Sequence, residues 1–260
     1  MNCLLTGASR GIGLALARHF HGRGHKVAIT GRKEQSLAEA KAILGDDVLT
    51  IAGDAADPAT AERTVREVEA QLGPLDLLVN NAGITGPVGT PFLEADPAAW
   101  WRTLEVNLRG PMSFMRAALP GMRARGRGTI VNMGSYGALF DLPGGSAYGV
   151  SKSALARLTD AVAAEIVDTG VHLFCTSPGL VKTDMTRDAD TFDHLPPEAW
   201  SQPEDICHLI ERLTDPACGV LHGRFLHVKD DLDRLLAQAA AIHEKGLYKL
   251  CMHGLDGRIG

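Results

Sequence analysis

Seven short, nearly unbroken apolar runs punctuate the chain: residues 2–7 (NCLLTG), 26–30 (KVAIT), 47–53 (DVLTIAG), 75–80 (LDLLVN), 128–134 (GTIVNMG), 171–178 (VHLFCTSP) and 223–228 (GRFLHV). Continuous apolar character, in place of alternation with polar residues, marks strands covered on both faces, as in a parallel sheet. Between them lie segments with apolar residues at i, i+3, i+4 and i+7. These are GIGLALARHFHGRG (11–24), EQSLAEAKAIL (34–44), PATAERTVREVEAQLG (58–73), one long stretch PAAWW…RARG (97–126), SAYGV…VDTG (146–170) and PEDICHLIERLTD (203–215). Strands and helices therefore alternate, which predicts a single α/β domain wound on both faces of a mainly parallel, seven-stranded sheet. Residues 183–201 carry few periodic signals, several acids and a Pro-Pro pair, so they are expected to form a loop with short helical turns. A further helix over about 231–244 and an apolar-basic tail are expected to pack on the domain formed by residues 1–230.

Composition narrows the chemistry. In a chain of 260 residues, 26 Lys and Arg stand against 31 Asp and Glu, for a formal charge of −5, so nothing draws it to nucleic acid or an anionic membrane surface. The five cysteines are scattered and form no C-x-x-C, which argues against a zinc ribbon or disulfide framework and for free thiols in a reducing compartment. A strand beginning at the second residue leaves no room for a signal peptide, and no apolar run approaches the roughly 20 residues of a spanning helix. The expected location is cytoplasmic and the expected partner a small molecule.

After the first strand comes TGASRGIG, with Gly7, Gly11 and Gly13 at the turn into the first helix. Glycines there allow a tight turn and bring backbone N–H groups up to a pyrophosphate at the positive helix end, the arrangement of a Rossmann-like dinucleotide site. The lysine of a P-loop is missing. An acid at the end of the second strand would grip a ribose 2′-hydroxyl; the sequence instead reads ITGRK, with Arg32 and Lys33, and Arg10 able to face the same place. Guanidinium groups match phosphate oxygens, so NADP(H) is the expected cofactor. Asp54, after the third strand, is placed either to accept from the adenine amine or as an ordinary turn residue. Asn80 and Asn81 end the fourth strand at the carboxyl edge of the sheet, where open α/β folds bind ligands.

Ser135 ends the fifth strand, and Tyr148 and Lys152 of YGVSK lie one turn apart on the helix that follows. Hydride transfer to a carbonyl leaves an alkoxide that needs a proton, and a phenol with a reference pKa of about 10 is too basic to exchange one easily near neutrality. A nearby ammonium is expected to lower it, and a serine hydroxyl to hydrogen-bond the substrate oxygen. Three histidines, His19, His21 and His25, are discounted as a metal site, because His19 and His21 are about 200° apart on a helix. Ser135 as an acyl nucleophile lacks a base, His172 beginning a strand at the opposite edge. Trp100, Trp101 and the segment 112–115 are read as core or subunit contact.

Together TGASRGIG, NNAG, Ser135, YGVSK and PGLVKTDMT (178–186) resemble the short-chain dehydrogenase/reductase family over nearly the whole chain. The wording is most similar to beta-ketoacyl carrier-protein reductases and related carbonyl reductases. The resemblance implies a catalytic set of Asn107, Ser135, Tyr148 and Lys152, with Asn107 supporting a water that links the lysine to solvent. It also implies cofactor contacts from Ser9, Arg10, Ile12, Asp54, Asn81, Tyr148, Lys152, Val181 and Thr183, with Lys152 on the nicotinamide ribose, and a homodimer or homotetramer through the two long helices. The expected activity is NADPH-dependent reduction of a ketone or aldehyde; an NAD-dependent alcohol dehydrogenase and a non-catalytic NADP-sensing protein are the alternatives. Ile84, Tyr136, Leu139, Phe140, Leu142 and Leu180 are expected to wall a partly apolar substrate cleft. The chain departs from the family pattern in its long C-terminal extension.

Overall fold

The computed structural model describes residues 1–187, 196–251, 253–254 and 257–258. Of the loop expected over 183–201, residues 188–195 lie outside the described residues.

Seven strands, β1 (Asn2–Leu5), β2 (Lys26–Gly31), β3 (Leu49–Ala52), β4 (Leu77–Asn80), β5 (Gly128–Met133), β6 (Val171–Ser177) and β7 (Phe225–His227), form one sheet in the order β3-β2-β1-β4-β5-β6-β7. Every pairing is parallel; Leu4, for example, lies opposite Ala28 of β2 and Leu78 of β4. Successive strand residues point to opposite faces, and both faces are apolar. Cys3, Leu5, Ile29 and Val79 meet Leu16 and Phe20 of α1 (Gly11–Gly22) and Ile206 and Ile210 of α8 (Pro203–Leu213). Leu4, Leu78 and Ile130 meet Val65 and Val68 of α3 (Pro58–Leu72) and Phe114, Met115 and Met122 of α5 (Gly110–Arg125). Each such side chain, fully buried, stabilises the fold by roughly 1.5–3 kcal/mol, which is why the continuous apolar runs become interior strands.

The remaining helices are α2 (Glu34–Leu44), α4 (Pro97–Leu104), α6 (Ser146–Glu165), α7 (Asp184–Arg187), α9 (Leu232–Ala237) and α10 (Ala239–Glu244). Asp-Pro pairs start two of the helices: Asp57 accepts from Ala59 N, and Asp96 from Ala98 N and Ala99 N, each with proline at the first helical position.

Two expectations are corrected. The long helix predicted over 97–126 is divided by a π-helical turn at Glu105–Arg109. Pro111 has no N–H to give the carbonyl of Asn107, so the regular i→i−4 ladder cannot run through this point and widens instead. The single helix predicted over 231–244 is two, joined at Gln238, whose amide donates to Arg234 O at 3.1 Å and whose carbonyl accepts from Ile242 N at 3.0 Å. The chain turns there with hydrogen bonds kept on both sides.

Beyond α10 the chain returns to the sheet. Phe225 N donates to Tyr248 O at 2.8 Å, Leu250 packs against Ala156, Cys175 and Phe225, and Lys249 pairs with Asp160. This extension covers the β7 edge and one flank of α6. Two short antiparallel strands, β8 (His253–Gly254) and β9 (Gly257–Arg258), follow it. Among the described residues no helix is long and apolar enough to cross a membrane.

Candidate active site

Strand order reverses between β1 and β4, and a cleft opens at the carboxyl ends of these strands. It runs from Arg32 and Asp54 at one end, past the glycine turn, to Met133, Tyr148 and Lys152 at the other. The glycine turn needs its glycines: Gly7 has φ of 62°, and a Cβ there would lie 2.7 Å from Ala82 Cα. A Cβ on Gly13 would lie 2.6 Å from both Ala8 Cα and Asn81 Nδ2. The NNAG segment braces this turn from β4. Asn81 Nδ2 donates to Thr6 O and Gly7 O at 3.0 Å each, and Thr6 Oγ1 accepts from the amides of Asn81 and Ala82. Asn80 is turned inward, donating to Asn132 Oδ1 at 2.8 Å.

Gly7, Ser9, Arg10, Gly11, Ile12, Gly13, Arg32, Asp54, Asn81, Tyr148, Lys152 and Thr183 all line the cleft. Val181 does not. Its side chain is buried, and its carbonyl accepts from Thr186 Oγ1 at 2.7 Å, which shapes the turn into α7. The guanidinium of Arg10 pairs with Asp184 of α7 at 3.1 Å. Asp54 is more than a turn residue. Its Oδ1 accepts from Ala56 N at 3.0 Å and its Oδ2 pairs with Arg102. Burial raises this carboxyl, but the Ala56 amide, Arg102 and the charge of Arg32 outweigh it and hold the group below the usual carboxylate range.

At the other end, Ser135 follows β5 and Tyr148 and Lys152 project from α6. Ser135 Oγ accepts from Gly137 N at 3.1 Å and lies beside the Tyr148 phenol, whose pKa it lowers. Lys152 Nζ lies 5.7 Å from the centroid of the Tyr148 ring and donates to Met133 O at 2.8 Å. The expected lowering of the phenol is corrected here. Burial pushes Tyr148 above the ordinary tyrosine value, only partly offset by Ser135. Burial likewise pulls Lys152 down to about 8, opposed by Cys175, whose own thiol burial pushes up to about 12. Desolvation penalises both charged forms, and the bond recorded for the ammonium goes to a backbone carbonyl.

Asn107 sits behind these groups, fully buried in the π-helical turn. Its Oδ1 accepts from Ile84 N at 2.9 Å; its Nδ2 donates to Ile84 O at 2.8 Å and Ser151 Oγ at 3.0 Å. Ser151 Oγ donates in turn to Tyr148 O at 2.7 Å. A Cβ on Gly83 would lie 3.3 Å from Asn107 Oδ1 and 3.6 Å from Lys152 Nζ, so this glycine leaves the gap between amide and ammonium narrow but open. Sequence reasoning passed over Gly83 and Ser151, although both lie inside the quoted motifs NNAG and YGVSK. It also missed His227, whose ring stacks on Tyr136 with centroids 4.1 Å apart and planes at 12°. Ile84 lines the cleft, whereas Tyr136, Leu139 and Phe140 are largely exposed, and Leu180 is bridged to Trp200. His19 and His21 face separate partners, Glu211 and Asp47.

A polar pair beside a buried lysine, at the end of a glycine-braced cleft on a doubly wound sheet, invites comparison with known proteins. A family model described as short chain dehydrogenase matches residues 2–193. The chain belongs to the short-chain dehydrogenase family. A short chain dehydrogenase of Pseudocercospora fijiensis is 33% identical over 258 residues, covering 91% of this chain and 82% of that protein. The NADP-dependent 3-hydroxy acid dehydrogenase of Salmonella typhi is 36% identical over 181 residues, 70% of this chain and 73% of its own. A solved short chain dehydrogenase/reductase family protein superposes with a TM-score of 0.77 at 34% identity, over 86% of this chain and 94% of that one. As a short-chain dehydrogenase, this chain is an oxidoreductase acting on CH–OH donors with a nicotinamide cofactor.

Proposed function

We propose that this chain is an NADPH-dependent reductase that converts a ketone or aldehyde to an alcohol, reversibly, with Asn107, Ser135, Tyr148 and Lys152 as its working residues. The observation that carries the reading is the placement of Tyr148 and Lys152 at one end of a cleft, with Ser135 beside the phenol, and of Arg32 and Lys33 at the other end. The Gly7–Gly13 turn and the start of α1 would hold the pyrophosphate, and Thr183, Ser9 and Asn81 border its path. When bound, the reduced nicotinamide supplies the hydride.

The protein's part is proton handling and orientation. Ser135 Oγ, which lies beside the phenol, turns its one proton to the carbonyl oxygen as negative charge grows there; a donor so placed is worth roughly 10²–10³ in rate. Tyr148 delivers the proton, a contribution of roughly 10²–10⁴. Lys152, held at about 8 by burial, carries its ammonium at neutral pH and supplies positive charge near the phenol ring. Asn107 and Ser151 fix the start of α6 against Ile84, which keeps Tyr148 and Lys152 in register.

NADP preference is supported by Arg32 and Lys33 at the end of β2, and by the NADP-dependent relative from Salmonella typhi. The five free cysteines suit a reducing, cytoplasmic setting, and exposed Trp101 on α4 suits a homodimer or homotetramer through α4, α5 and α6. The test is a panel of ketones and aldehydes followed by NADPH absorbance. Turnover is expected with NADPH over NADH, and Arg32→Ala is expected to shrink that preference by about tenfold, one charged hydrogen-bonding contact at an exposed site. Binding of NADPH without turnover of any carbonyl would favour a sensing protein; turnover with NADH over NADPH would favour NAD, and an unchanged NADPH preference in Arg32→Ala would overturn the role given to Arg32.

A further inference from the structure

One end of the cleft is walled by residues 53–55 of the turn after β3, and that turn is fastened to the π-helical turn that carries Asn107. Arg102 of α4 pairs with Asp54 through one arm and with Glu105 Oε2 at 3.0 Å through the other. Glu105 Oε1 pairs with Arg109 at 3.3 Å, and Arg109 Nε donates to Ala56 O at 3.0 Å. Between these contacts Gly110 packs so closely that a Cβ would fall 2.8 Å from Ala55 O. The circuit Asp54, Arg102, Glu105, Arg109, Ala56 thus begins on a carboxylate facing the cleft and clamps the first and last residues of the π turn, with Asn107 at its middle. Loosening of that turn would draw Asn107 away from the Ile84 backbone that now satisfies both ends of its amide. The clamp thus ties both ends of the π turn to the loop that carries Asp54.

We propose that Arg102 is a positioning residue. By joining Asp54 to Glu105 it makes occupation of the Asp54 end by an adenine nucleotide stiffen the π turn, and so fixes Asn107 at the opposite, reacting end. This rests on the nucleotide reading above. Asp54 retains lone pairs beyond those engaged by Ala56 N and Arg102, so an amine arriving at its carboxylate bears directly on the Arg102 contact.

The test needs no turnover. Adenosine 2′,5′-bisphosphate carries the adenine end of the nucleotide and no nicotinamide. With the full chain, its binding is verified by calorimetry and its effect read by hydrogen–deuterium exchange of the amides of residues 105–110. Exchange is expected to slow severalfold in the wild type, to be unaffected in Arg102→Met, and to slow partly in Arg102→Lys. A merely structural Arg102 would lower the melting temperature yet leave the protection intact. Equal protection in wild type and Arg102→Met, or none in the wild type despite binding, overturns the coupling and leaves the proposed function standing. Failure of the compound to bind the wild type overturns the nucleotide reading and the coupling with it. Should Arg102→Met not fold or not bind, Glu105→Gln, which leaves Arg102 on Asp54, replaces it under the same criterion.

Discussion

At the scale of single residues, the reaction end is built from groups that the fold disfavours in their charged forms. Lys152 is the sharpest case. Its ammonium is buried and its pKa falls from 10.5 to about 8. A lysine depressed in this way lowers stability wherever the unfolded chain would protonate it: the penalty is absent above 10.5, grows as pH falls from 10.5 to about 8, and is constant below. A shift of that size corresponds to about 3 kcal/mol. Lys152→Met is therefore expected to be more stable than wild type at pH 7 while losing activity, with the gap closing by pH 10. Urea midpoints at the two pH values check this; a variant less stable at pH 7 would contradict the burial argument. Tyr148→Phe is expected to cut turnover by roughly 10²–10⁴ with nucleotide affinity unchanged, because the hydroxyl removed faces Ser135 and not the glycine turn. Steady-state kinetics beside a binding titration separate the two effects.

At the scale of elements, the strands and most helices were legible because each rests on a local signal: continuous apolar runs, Asp-Pro starts, Gly at turns. The spacing of Ser135, Tyr148 and Lys152 was legible for the same reason, since a strand end and one helical turn fix where such side chains point. What was not legible depends on partners distant in sequence. The pairing of Asp54 with Arg102, of Arg10 with Asp184 and the stacking of Tyr136 on His227 require the folded sheet to bring loops together. The break in the predicted long helix had a local cause in Pro111, whereas the close approach of Gly110 to Ala55 O depends on a loop distant in sequence. The turn after β1 shows how closely such elements interlock. Gly13→Ala would force a methyl against Ala8 Cα and the Asn81 amide that braces Gly7. It is expected to cost about 1–3 kcal/mol of stability and to weaken nucleotide binding more than the distant Asp96→Ala, which removes only the cap of α4 and costs about 1 kcal/mol. Chemical unfolding and a nucleotide titration on both variants check the contrast.

At the scale of the whole molecule, the C-terminal extension decides how the sheet ends. β3 closes one edge under α2, whereas β7 is met by residues 247–250: Tyr248 O takes the Phe225 amide, and Leu250 covers Phe225, Cys175 and Ala156. Cys175 neighbours Lys152, so this cover lies one layer behind the reaction end, helping to keep water from a lysine whose depressed pKa depends on burial. Truncation after Lys245 should therefore do two things. It should expose the β7 edge and its apolar neighbours, lowering stability by about 2 kcal/mol, or about 4–8 °C in Tm at this chain length, and favouring association along the open edge. It should also let water approach Cys175 and Lys152, moving the lysine back towards 10.5 and shifting the alkaline limb of any carbonyl reduction upward with it. Thermal melts, size-exclusion chromatography and a pH–rate profile read the three consequences separately. A truncated chain that melts lower but keeps the same alkaline limb would show that the extension stabilises the sheet edge without screening the lysine, because edge pairing and desolvation are then carried by different residues.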